Sequence, residues 1–177
     1  QLQHLQWRCP GDRWLLKSPA HLFWLDVLLE TFPDACIVQT HRDPLQAVGS
    51  YCSLAAVLHS IGSDEVDLHA IGEAWSAAWA EGLARAAAAR EKAPASFFDS
   101  HYDEFLTDPP AAVRRIYEHF DIPMSEEALR RMRSFIASNP RDRHGTHRYT
   151  LEQFGLDRSK ERARYRFYQD YFKVAEE

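Results

Sequence analysis

Glycine is scarce in this sequence, with seven in 177 residues, and none lies in a run that could wrap a phosphate. Before residue 49 the only glycine is Gly11, and Pro10-Gly11-Asp12 reads as a turn, not as a phosphate loop. Cysteine is scarcer still. Cys9, Cys36 and Cys52 are odd in number and form no CxxC pair, so a disulfide framework is excluded. Buried free thiols in a reducing compartment are expected instead, with Cys36 in a strand and Cys52 in a helix. No apolar run approaches the roughly 20 residues that cross a bilayer. No secretory leader is visible, although the chain opens on Gln1 and not on Met; the expected location is cytoplasmic. Repeats, low-complexity tracts and interdomain linkers are also missing. A net charge of −5 and a pI near 6.0 argue against a general nucleic-acid binder.

Hydrophobic residues make up 45% and aromatics 12%, enough for one domain with a sizeable core over residues 1–177. Charge is unevenly placed. Residues 141–166 carry eight Arg or Lys against four Asp or Glu, a basic surface on an acidic protein that suits a small or local anion.

Periodicity divides the chain into alternating elements. Residues 1–12 are polar and irregular, and residues 14–17 read as a short buried strand. Ser18 caps and Pro19 opens a helix with Leu22, Leu25, Leu28 and Leu29 on one face, broken at Phe32-Pro33-Asp34. Residues 35–40 form a second strand. Asp43 caps and Pro44 opens the next helix, with Leu45, Val48, Cys52 and Ala55 on its inner face. Residues 66–93 read as one long helix, ended by Pro94, and residues 96–101 as a third strand. A helix opens at Asp108-Pro109-Pro110. Another is capped by Ser125 and turns Leu129, Met132, Phe135 and Ile136 inward. Residues 139–150 are an aperiodic basic loop, and residues 157–172 a final amphipathic helix. Strands alternating with helices predict an α/β class with a parallel sheet. Three strands are few for a sheet covered on both faces, so a preceding part is expected to be missing.

Two joints carry chemistry. At Lys17-Ser18-Pro19-Ala20-His21 and at His41-Arg42-Asp43-Pro44, basic side chains end a strand where a helix begins. That arrangement makes an anion site. Arg42, with Ser50 about two turns into the following helix, could hold a phosphate; alternatively Arg42 pairs with a carboxylate and Ser50 is a small helix residue. Lys17 offers a mobile positive charge, and His21 can exchange a proton near neutral pH or serve only as a solvated first-turn group. His144 and His147 lack the Cys or acidic partners that a metal set needs, so no metal is expected.

Taken in order, LLKSPAHLFWLDVLLETFPDACIVQTHRDPLQAVGSYCSL, FFDSHYDEFLTDPPAAVRRIYEHFDIP and RDRHGTHRYTLEQFGLD resemble successive segments of bacterial-type sulfotransferases, over about residues 13–172. The resemblance implies a P-loop NTPase-like parallel sheet flanked by helices, incomplete at its N-terminus and helix-rich in its C-terminal half. It implies 3′-phosphoadenosine-5′-phosphosulfate (PAPS) as donor, no metal, and sulfuryl transfer to a hydroxyl or amine on a small molecule, glycan or lipid. Arg42 and Ser50 would grip the 3′-phosphate, and Tyr102 of Tyr102-Asp103-Glu104 would lie near the adenine. Arg143, His144 and Gly145 would stand for the family's Arg-Lys-Gly loop. Lys17 would stabilise the leaving oxygen, and His21 is a candidate base. The family's N-terminal Gly-rich loop for the 5′-phosphosulfate has no counterpart, so a fragment of a longer domain is expected. Two other functions fit the same anion site: a P-loop nucleotide or small-molecule kinase, which would need an upstream GxxxxGK[ST], and a non-catalytic domain docking through residues 141–148.

Overall fold

The computed structural model describes residues 2–140 and 148–177. Its centre is a parallel pair, β1 (Ile37–His41) and β2 (Phe97–His101), registered Ile37 on Phe97 through His41 on His101. Between them in the chain run α3 (Pro44–Gly62) and α4 (Leu68–Lys92), the long crossover that parallel strands require. Before β1 come α1 (Leu2–Arg8), a 3-10 segment Pro19–Phe23 and α2 (Leu25–Thr31). After β2 come α5 (Tyr102–Thr107), α6 (Pro109–His119), α7 (Glu126–Ser138), a 3-10 segment Glu152–Phe154 and α8 (Arg158–Phe172). The expected α/β class therefore holds, with a small parallel sheet in a helix-rich chain.

Most helices begin where short polar side chains satisfy their free N–H groups. Asp43 accepts from the Leu45 amide at the head of α3, and Asp67 from Ala70 at the head of α4. Asp108, Ser125 and Asp157 cap α6, α7 and α8 in the same way.

The core sits where α3, α4 and α8 meet. Leu45, Val48, Cys52 and Ala55 of α3 pack with Ile71 and Leu83 of α4 and with Tyr165, Tyr168 and Phe172 of α8. Leu151, Phe154 and Leu156 close it. Gly72 allows that closure, because a Cβ there would lie 2.1 Å from the Phe154 carbonyl oxygen. Burial pushes the Cys52 thiol up to about 11, as suits a packed, unreactive sulfur. A smaller cluster of Leu25, Ala86, Ala89 and Phe97 seats α2 and α4 against β2.

Five expectations need correction. The one helix expected from Pro19 through Leu29 is split, with a 3-10 segment at Pro19–Phe23, Trp24 outside helical geometry, and α2 starting at Leu25. Residues 2–8 are helical, not irregular. Residues 14–17 form no strand, and Leu15 is 96% exposed; three apolar residues ending on a charge make a strand only against a partner ladder, and none lies beside them among the described residues. Cys36 precedes β1 and is exposed, as is Cys9, so only Cys52 is the buried thiol expected. On α7 Leu129 is buried and Met132 half-buried, but Phe135 is 67% exposed and Ile136 is also exposed, so the apolar face is left uncovered toward its C-terminal end. Periodicity reports which face is apolar, not whether a neighbour reaches it.

Candidate functional site

β1 delivers three consecutive side chains to one mouth, and each is fixed by residues distant in the chain. His41 is the last strand residue and its side chain is fully buried. Its Nε2 lies 2.8 Å from Asp99 Oδ1 on β2, and its Nδ1 lies 2.8 Å from the Tyr168 hydroxyl on α8. The ring also stacks on Phe172, with centroids 4.4 Å apart. Arg90 from α4 grips both oxygens of Asp99. Burial lowers the His41 pKa, and this outweighs the upward pull of Asp99. The imidazole is therefore neutral, with Nε2–H donating to the carboxylate and Nδ1 accepting from Tyr168. Burial alone would raise the Asp99 carboxyl, but the hydrogen bonds from His41 and Arg90 reverse this and hold it below the ordinary carboxylate value.

Asp43, also buried, does more than cap α3. Its Oδ1 accepts from Arg162 Nη1 at 2.7 Å and its Oδ2 from Arg162 Nη2 at 2.9 Å, a two-pronged pair with α8. Its Oδ2 also accepts from the Glu177 amide at 2.9 Å. Burial again works to raise this carboxyl, and the Arg162 and backbone hydrogen bonds overturn it, leaving the pKa lowered.

Between these two anchors stands Arg42, its side chain 32% exposed. The β1–β2 register brings it beside Tyr102, since each residue follows a member of the paired His41 and His101. The guanidinium carbon lies 4.4 Å from the Tyr102 ring centroid, a cation–π contact. The guanidinium fork faces a carboxylate. Arg42 Nε donates to Glu177 Oε1 at 2.9 Å and Oε2 at 3.2 Å, and Nη2 donates to Oε2 at 2.8 Å. The expected alternative, a carboxylate on Arg42, is thus met by Glu177. Tyr149 flanks the same mouth. Its hydroxyl donates to the Gln46 carbonyl at 3.0 Å, and its ring lies so close to Gly49 that a Cβ there would come within 2.8 Å.

The structure brings Arg42 and Tyr102 into contact. Ser50 is exposed one turn past Gln46 on α3, and no described contact joins it to Arg42. Lys17 is exposed, and His21 is half-buried in the 3-10 segment capped by Ser18. That segment packs through Leu22 and Phe23 onto α4 at Gly82, and no described contact joins Lys17 or His21 to Arg42. Arg143, His144 and Gly145 lie outside the described residues. Among the described residues no group of three His, Cys, Asp or Glu could hold a metal ion, and no helix is long and apolar enough to cross a membrane.

Sequence reasoning missed Tyr149, Glu177, Arg162 and the His41–Asp99–Arg90 chain. The string His41-Arg42-Asp43 did hold a signal. A strand that ends on three consecutive polar residues must find partners for whichever of them it buries.

Comparison with known proteins places these features in context. A model of the sulfotransferase family matches residues 1–126. Omega-hydroxy-beta-dihydromenaquinone-9 sulfotransferase Stf3, from Mycobacterium bovis and from Mycobacterium tuberculosis, is 28% identical over 141 residues, covering 78% of this chain and 36% of the relative. The crystal structure of sulfotransferase STF9 from Mycobacterium avium superposes with a TM-score of 0.87 at 34% identity, covering 98% of this chain and 45% of that one. That of sulfotransferase STF1 from Mycobacterium tuberculosis H37Rv gives 0.70 at 36% identity, covering 86% and 39%. The chain thus spans 36% of the length of the curated relatives it matches.

Proposed function

Because the chain belongs to the sulfotransferase family, we propose that it binds PAPS through its 3′-phosphate and takes part in sulfuryl transfer to an acceptor hydroxyl or amine. Residues 1–177 act as one domain in this reading, in the cytoplasm. The observation that carries it is the Arg42 seat. A guanidinium at the end of β1, half-exposed and backed by Tyr102, already grips an anion with both prongs of its fork. A phosphate presents the same pair of oxygens with more charge.

The donor supplies an activated sulfuryl group, and the chain's residues do the rest. Arg42 holds the 3′-phosphate in register, and the Tyr102 ring keeps the guanidinium flat against the mouth. Ser50 adds a hydroxyl donor from the second turn of α3. Arg143, His144 and Gly145 add positive charge and backbone donors. Lys17 neutralises charge on the bridging oxygen as its bond to sulfur breaks. His21 takes the acceptor proton as the new bond to sulfur forms. Stf3 is named for a menaquinone-derived lipid alcohol, and a hydroxyl on a lipid or other small molecule is the acceptor class we propose for this chain.

Titration calorimetry with adenosine 3′,5′-bisphosphate tests the seat. Arg42→Ala is expected to weaken binding by about 100-fold, the loss of two charge-assisted hydrogen bonds. Arg42→Lys should recover only part of it, because an ammonium lacks the fork. Equal affinity in the wild type and Arg42→Ala would overturn the assignment.

A further inference from the structure

The anion seat on Arg42 is taken by a carboxylate of the same chain. α8 ends at Phe172, and Lys173 then adopts the left-handed conformation, with φ 56° and ψ 39°. That turn reverses the chain. The Val174 amide donates back to the Gln169 carbonyl at 3.1 Å, and residues 174–177 run toward the end of β1. Two acidic side chains then land on two arginines. Glu176 lies 3.4 Å from Arg162 Nε, and Glu177 takes the Arg42 fork while its amide bonds Asp43.

We propose that residues 173–177 form an autoinhibitory strap, in which Glu177 occupies the position of the donor's 3′-phosphate on Arg42 and must leave before the donor binds. The proposal rests on the phosphate-seat reading of Arg42 given above.

Three features fit a strap made to open. Its grip is polar and wet, since the Glu177 side chain is 40% exposed and that of Glu176 68% exposed. Exposed pairs of this kind hold weakly. Only Val174 in the segment is even half-buried, so opening uncovers little apolar surface. The seat also survives the opening. Asp43 keeps its two bonds to Arg162 and its bond to the Leu45 amide after the Glu177 amide departs. Arg42 keeps Tyr102. A doubly charged phosphate then competes with a single carboxylate for a ready-made fork. The affinity observed is the intrinsic affinity multiplied by the fraction of open molecules.

The test measures adenosine 3′,5′-bisphosphate binding to the whole chain as wild type, Glu177→Gln, Glu177→Ala and Arg42→Ala. A strap closed about nine-tenths of the time gives a tenfold tightening on release, so both Glu177 variants should bind about tenfold more tightly than wild type. In wild type, saturating ligand should raise the fast backbone motion of residues 174–177 in 15N relaxation. Glu177 variants that match wild-type affinity while Arg42→Ala loses binding would overturn the strap and leave the seat standing. Arg42→Ala binding as well as wild type would overturn both, as would a strap that stays ordered at saturation with Glu177 still on Arg42.

Discussion

The chain holds two joints of the same local design, and the structure treats them in opposite ways. At each, a basic residue precedes a polar cap and a proline: Lys17-Ser18-Pro19 and Arg42-Asp43-Pro44. Both caps form, Ser18 accepting from the Ala20 amide at 3.3 Å and Asp43 from the Leu45 amide at 3.0 Å. Beyond that they part. Ser18 opens a five-residue 3-10 segment and Asp43 a 19-residue helix. The residues around Ser18 are largely exposed, whereas those around Asp43 are tied to β2, α4, α8 and the segment after it. A cap is a local transaction between a side chain and its own first turn. A binding mouth is made by partners from far along the chain.

If that contrast is right, the largest stability effect belongs to Asp43. Asp43→Ala removes the α3 cap and takes from Arg162, in a partly buried place, its two-pronged partner, leaving the exposed Glu176 3.4 Å away. Breaking such a buried pair costs about 3–5 kcal/mol. Urea unfolding followed by circular dichroism should register the loss as a lower midpoint. A cost under about 1 kcal/mol, the usual range for an exposed pair, would make the two joints equivalent after all.

The next effect is a pH dependence. His41 is held neutral by burial, so its folded pKa lies below the ordinary 6.5. Below about 6.5 the unfolded chain takes up a proton that the folded chain refuses, and stability falls as the pH drops through that value. Asp43 and Asp99 act lower down. Their folded pKa values lie below 3.8, so their contribution persists until the pH falls past that point. Unfolding free energies between pH 7.5 and 5.0 should therefore decline by up to about 1.4 kcal/mol per pH unit for this one group. His41→Gln should flatten the slope at some cost in overall stability. An unchanged slope would show that the imidazole is not the group being titrated.

How much of this was legible beforehand follows from the same division. Caps, helix starts and the 35–40 and 96–101 strands could be read because each depends on a few adjacent residues. Asp43 and Ser125 cap where the sequence places them, and helices start at Pro109 and Arg158, next to the starts read at residues 108 and 157. The helical character of residues 2–8 was hidden by polar composition, and α7 was read as covered although Phe135 and Ile136 are exposed. Arg42 and Tyr102 could be singled out, but their contact comes from the register of β1 on β2, which no local pattern specifies. Glu177 on Arg42 spans 135 positions, and His41 on Tyr168 spans 127. No spacing rule reaches that far, and a run of acids after a helix reads equally well as a solvated end.

The smallest expected effect sharpens the comparison from the other side. Lys17 is exposed and no described side chain pairs with it. Lys17→Ala should therefore shift the unfolding free energy by no more than about 0.5 kcal/mol, as surface substitutions do. Because the oxygen that Lys17 is proposed to neutralise becomes a charged terminal oxygen of the 5′-phosphate in adenosine 3′,5′-bisphosphate, the same variant should bind that ligand more weakly than wild type. A stability loss above about 1 kcal/mol would show the first joint to be wired into the fold like the second. Wild-type stability with unchanged ligand affinity would remove Lys17 from the leaving oxygen. Only unchanged stability with weakened affinity keeps the division of labour between the two joints, with one wired into the fold and the other free to act on the leaving group.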